Sequence, residues 1–75
     1  MDLLDLHGVK HAEARQKVIR FIEDRWDSDK LCEIITGHSD SMRKVVVEVI
    51  EEYKLEYNVG GALGTNPAII SLTIG

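Results

Sequence analysis

An α/β domain with the element order βαβαββ is the fold class this sequence predicts. Three observations carry it. Two segments repeat apolar residues at three and four positions, the period of an amphipathic helix; short apolar runs between them are bounded by glycine, proline or polar turn residues; and a length of 75 residues leaves room for one core and no second domain.

Leu3 to Leu6 reads as a short strand ending in His7-Gly8, and Gly8 supplies the turn into a helix from about Lys10 to Trp26. In that helix Ala14, Val18, Phe21 and Ile22 fall on one face. Leu31 to Thr36 forms a second apolar strand, closed by Gly37. From Ser41 to Lys54, Met42, Val45, Val46, Val49, Ile50 and Tyr53 recur at helical spacing, which outweighs the strand propensity of Val45-Val46-Val47. Ser39, Asp40 and Ser41 all offer N-caps for this helix. A third strand is expected over Leu55 to Val59, then a glycine-rich link, Gly60-Gly61-Ala62-Leu63-Gly64, and a last strand from about Ala68 to Ile74. Pro67 lacks an N–H and belongs just before that strand rather than within its ladder. There is no internal repeat or low-complexity tract, so residues 1–75 are expected to form one domain.

Composition narrows the function classes. With 44% hydrophobic and 29% charged residues the chain suits a packed globule rather than a disordered tail. A domain this short buries only about 60% of the surface its unfolded chain exposes, so its stability is modest. The single Cys32 excludes an internal disulfide, and no run approaches the ~18 apolar residues of a membrane span or the pattern of a secretory signal. The expected compartment is the reducing cytoplasm, with no membrane partner. A net charge of −4 argues against nucleic-acid binding through bulk charge. The distribution is less hostile, because Lys10, Arg15, Lys17 and Arg20 crowd the first helix and Arg43 with Lys44 opens the second. Lys10, Arg15, His38, Arg43 and Lys44 are expected to form a cationic patch, although solvated helix faces would give the same counts.

Topology brings the chemistry together. A strand–helix–strand crossover makes its two strands parallel, so both C-terminal ends lie on one edge, carrying Asp5-Leu6-His7-Gly8 and Thr36-Gly37-His38-Ser39. Ligands bind at that edge in open α/β sheets. Each loop leads into a helix N-terminus, where unpaired N–H groups and the helix dipole favour an anion such as phosphate. Strand alternation places Asp5 and His7 on one side, so that a carboxylate can orient an imidazole and raise its basicity; the alternative is a plain surface pair. Gly8 and Gly37 permit close backbone approach, or simply turn the chain. A metal site is not expected. His7, His11 and His38 lack the spacing of zinc ligands, His11 reads as a first-turn surface residue, and Cys32 lies in a core run. No cofactor is implied.

The run Leu4-Asp5-Leu6-His7-Gly8, then Glu13-Ala14, then Ile34-Ile35-Thr36-Gly37-His38, then Asn66-Pro67 before a final apolar strand, resembles the small MutS-related (Smr) domain. The resemblance spans nearly the whole chain in the right order. It implies a two-layer fold with a four-stranded mixed sheet and two helices, like the C-terminal domain of translation initiation factor 3. It also implies activities ranging from nucleic-acid nicking and RNA cleavage to binding alone, with partners that include nucleic acid, ribosomes and MutS-like proteins. Carried over residue by residue, the functional Asp and His fall on Asp5 and His7, with Thr36, Gly37 and His38 in the second loop. Ser39 stands where the family has a second glycine, Ala68 where it often has glycine, and Lys10 where it often has a capping Ser or Thr, leaving Glu13 as a cap from the first turn.

An Asp-supported His matches RNA scission through the 2′-hydroxyl, with His7 as general base, His38 as complementary acid, and Lys10 or the helix-terminal amides on the phosphate. Gly8, Arg15, Thr36, Gly37, Ser39, Arg43 and Lys44 complete the expected phosphate-binding set. RNA is favoured over DNA, which lacks the internal nucleophile. The competing class is a non-catalytic binding module using the same edge, favoured by the acidic total and by Ser39. Phe21 and Tyr53 fit the core stripes, while Trp26 and Tyr57 are left unplaced.

Overall fold

In chain order the elements are β1 (Asp2–Asp5), α1 (His11–Asp24), β2 (Lys30–Ile35), α2 (Asp40–Glu52), β3 (Tyr57–Val59) and β4 (Ile69–Ile74), in a computed structural model that describes residues 2–60 and 66–74. The strands form one mixed sheet in the order β1-β2-β4-β3, so the fold is α+β with the predicted succession of elements. β1 pairs parallel to β2, with Asp5 beside Ile35, whereas β4 runs antiparallel to both β2 and β3, with Ile69 beside Ile35.

Both helices cover one sheet face. α1 buries Ala14, Val18, Phe21 and Ile22, the four residues that its period selects, and α2 buries Met42, Val46, Val49 and Ile50. They close on Leu6, Cys32, Ile34, Ile70, Leu72 and Ile74 from the strands. Val45 and Tyr53 are only half-buried at the margin of the α2 stripe. The other sheet face is open, and there Leu3 and Leu31 are 56% and 41% exposed. No helix among the described residues is long and apolar enough to cross a membrane.

The ends of the elements follow their capping chemistry. Ser39, at φ −88°, caps α2 by accepting a hydrogen bond from the Met42 N–H at 3.2 Å. The N-cap of α1 is Lys10, whose side chain makes no capping bond, and the expected cap from Glu13 is not made either. At the other end of α2 the Lys54 N–H donates to Glu51 and the Leu55 N–H to Ile50, with Lys54 at φ +56°. That is a Schellman closure with lysine in the left-handed position. It consumes Leu55, so β3 begins at Tyr57 rather than at Leu55 as expected. Of the glycine-rich link, Gly60 bonds across to Ile69 and Asn66, and residues 61–65 lie outside the described residues.

Candidate functional site

Parallel pairing of β1 and β2 puts their C-terminal ends side by side, and antiparallel β4 starts at the same edge. Three segments therefore converge there: 6–10 after β1, 36–39 after β2, and 66–68 before β4. Neighbouring strands lie roughly 4.8 Å apart, so the segments are adjacent. The first turns of α1 and α2 begin at this edge; the Glu13 N–H is bonded to Lys10 and the Met42 N–H to Ser39, while the N–H groups of His11, Ala12, Asp40 and Ser41 make no hydrogen bond among the described residues.

The first loop is shaped by Asp5. One of its carboxylate oxygens, Oδ1, accepts a hydrogen bond from the His7 backbone N–H at 2.8 Å, and Gly8 at φ +78° turns the chain toward α1. A β-carbon on Gly8 would meet no atom within 4 Å, so backbone conformation rather than space calls for glycine. Asp5 and His7 are both exposed on the side opposite buried Leu6, as alternation predicts. The expected bond between carboxylate and imidazole is absent, however. The chain leaves the ladder at Asp5, and the carboxylate closes the turn through the main chain instead.

The second loop is held by one carbonyl. The Ala68 oxygen accepts from the Thr36 N–H at 2.8 Å, the Gly37 N–H at 3.2 Å and the Thr36 hydroxyl at 3.1 Å. Thr36 is 4% exposed and its hydroxyl also reaches the Gly37 oxygen at 2.9 Å, so this residue fixes the loop rather than facing a ligand. Gly37 takes φ +71°, and Ser39 stays in the extended region, so serine fits the position where the family has glycine without strain. His38 and Ser39 are exposed beyond the turn.

The third loop was not part of the expected site, although its Asn-Pro pair is a turn signal. Asn66 Oδ1 accepts from the Ala68 N–H at 3.0 Å, and the Pro67 carbonyl accepts from Arg43 Nε at 3.1 Å and Nη2 at 3.0 Å. Arg43 also pairs with Asp40. It thus clamps α2 to the 66–68 turn.

Two of the five expected patch cations are therefore committed within the protein. Arg43 is one. Arg15 is the other, forking onto both Glu52 oxygens at 2.7 and 2.9 Å; that hydrogen bond and the attached negative charge raise its already high pKa. Lys10, His38 and Lys44 are exposed and make no ion pair among the described residues. Among the described residues no three His, Cys, Asp or Glu side chains are grouped to hold a metal ion.

The arrangement offers two exposed imidazoles, a carboxylate with one oxygen, Oδ2, making no hydrogen bond among the described residues, and two helix N-termini at one sheet edge. Such a set can bind a phosphodiester and move protons on either side of it. Compared with protein families, the chain matches the model of the Smr domain over residues 4–69. It matches no curated protein and no solved structure.

Proposed function

This chain belongs to the Smr domain family, a nuclease-type or nucleic-acid-binding domain, and from that premise we propose that it cleaves RNA at the edge formed by segments 6–10, 36–39 and 66–68. The observation that carries this reading is the parallel pairing of β1 and β2, which sets the loops carrying His7 and His38 at the ends of adjacent strands, each leading into a helix N-terminus. His7 takes the proton of a 2′-hydroxyl, the 2′-oxygen attacks the adjacent phosphorus, and the 5′-oxygen leaves with a proton supplied by His38. Lys10, Ser39, Lys44 and the first-turn amides hold the phosphate and the charge that develops on it. Gly8 and Gly37 shape the two loops that face it. Asp5 is a positioning residue here, acting on His7 through the turn it closes. Thr36 and Arg43 position the second and third loops in the same indirect way.

The test is an RNA and a DNA oligonucleotide incubated with the purified chain in excess EDTA. RNA is cut to a 2′,3′-cyclic phosphate, DNA is not, and His7→Ala loses roughly 10²–10⁴-fold or more while remaining folded. Cleavage that survives His7→Ala, or that needs an added divalent metal, overturns the mechanism.

One observation favours a second reading. One oxygen of the Asp5 carboxylate is taken by the backbone rather than by an imidazole and two arginines are tied up internally, which lowers the site's catalytic and electrostatic reach. A folded chain that binds RNA or DNA and cuts neither is a binding module, and contact with a ribosome or a MutS-like protein belongs with that outcome.

A further inference from the structure

β1 is an edge strand. Among the described residues nothing pairs with its outer side, and it runs beside a groove of about 610 Å³ between the strand and the flank of α1. The Leu6 N–H donates to Ile35 of β2 at 2.9 Å, so by the alternation of a parallel ladder the N–H and C=O groups of Leu3 and Asp5 face outward. The floor of the groove is apolar, with Leu4, Ala12 and Phe21. Along its wall α1 presents Glu13, Lys17, Arg20 and Asp24, so both ends are negative and the middle, opposite Leu4, is positive. Lys17 and Arg20 make no hydrogen bond or ion pair among the described residues, whereas Arg25 at the far end is bound to Asp2 and stacked on Phe21.

We propose that this groove takes an extended peptide from a partner protein, added antiparallel to β1, with an acidic side chain between Lys17 and Arg20. The peptide residue opposite Leu4 projects to the same sheet face as Leu4, into the groove, and its neighbours two positions away lie along the apolar floor. The outward groups of Leu3 and Asp5 supply the main-chain hydrogen bonds. A phosphodiester strand fits less well, because Glu13 and Asp24 repel it and its backbone does not repeat the alternating N–H and C=O pattern of a strand edge. A second copy of this chain fits less well too, since two-fold pairing of β1 would set the Lys17 and Arg20 side chains of one α1 against those of the other. The site adjoins the His7 edge at Asp5, whose main chain rather than carboxylate it uses, and it does not rest on the RNA reading.

The probe is a blocked peptide, Val-Thr-Glu-Thr-Val, titrated into the ¹⁵N-labelled chain. The expected result is saturable shifts of the Leu3 and Asp5 amides and of α1 around Lys17 and Arg20. Affinity falls at least tenfold when lysine replaces the peptide glutamate, and equally in Lys17→Glu/Arg20→Glu, whose exposed helix positions leave folding intact. Leu3→Pro removes one outward N–H without touching the ladder to β2, and it also weakens binding. No β1 shifts, or equal binding of both peptides, overturns the proposal. So do β1 shifts that depend on protein concentration without peptide, which assign the edge to a second copy, or β1 shifts produced by single-stranded RNA and not by the peptide.

Discussion

Replacing Thr36 with valine tests whether the second loop is held by its buried hydroxyl. Valine has the same shape and removes one donor. The hydroxyl carries a single proton shared between Gly37 O at 2.9 Å and Ala68 O at 3.1 Å, so one bond is lost, not two. The Ala68 carbonyl keeps its bonds from the Thr36 and Gly37 N–H groups and is not orphaned. The cost is therefore the net value of a hydrogen bond, about 0.5–1.5 kcal/mol, rather than the ~1–3 kcal/mol of an unsatisfied buried group. In urea, with an m-value near ~1 kcal/mol/M for so small a domain, the midpoint falls by roughly 1 M. Thr36→Ser gives a comparable loss by deleting a buried methyl, about 0.8 kcal/mol before any cavity cost, but it leaves the hydroxyl in place. Amide exchange separates the two: Gly37 exchanges faster in Thr36→Val and at the native rate in Thr36→Ser. A loss above ~3 kcal/mol, or faster Gly37 exchange only in the serine variant, refutes the reasoning.

Lys54→Gly relieves a left-handed residue at the α2 C-terminus, worth about 1–2 kcal/mol against a glycine entropy cost of about 0.5–1 kcal/mol, so denaturant unfolding should show a gain of up to ~1.5 kcal/mol. Burial first, then the nearby Asp2 charge, pushes the Cys32 thiol up; iodoacetamide at pH 8 (roughly half a unit below an ordinary thiol pKa) should modify it only through opening of the fold, at a rate that tracks urea concentration. The hydrogen bond to Glu23 raises the Tyr53 pKa, because it holds the phenol protonated. That contribution to stability is complete below the ordinary tyrosine range and is lost as pH rises through the higher folded value. Absorbance titration should therefore place Tyr53 above the ordinary tyrosine range, and Glu23→Gln should lower it toward that range.

Helical faces were legible because their signal is local: Ala14, Val18, Phe21 and Ile22 lie on one stripe whatever they pack against. Parallel pairing of β1 and β2 followed from the crossover, and with it the placing of the 6–10 and 36–39 loops at one sheet edge. What escaped the sequence was set by contacts at a distance or by capping. Arg15 and Glu52 are 37 residues apart, and Arg43 and Pro67 are 24 apart, so nothing local marks either cation as occupied. Leu55 looks like strand, and only the left-handed Lys54 beside it assigns it to the helix end. The Asp5–His7 contact has another cause: alternation does put both on the exposed side, but the Asp5 carboxylate turns to the His7 N–H, a local turn bond that strand periodicity does not mark.

The place of β4 has a bearing on biosynthesis. A ribosome delivers β1, α1, β2, α2 and β3 first, yet β2 and β3 have no contact as neighbours until residues 69–74 emerge and slide between them. Ala68, whose carbonyl fastens the 36–39 loop, arrives in the same stretch. A nascent chain that has not yet released β4 thus carries His38 without the scaffold that fixes its loop, and the edge where the three loops converge is complete only once β4 has paired. Any stalled or truncated product lacking that strand also exposes the inner edges of β2 and β3, which marks it for aggregation or degradation.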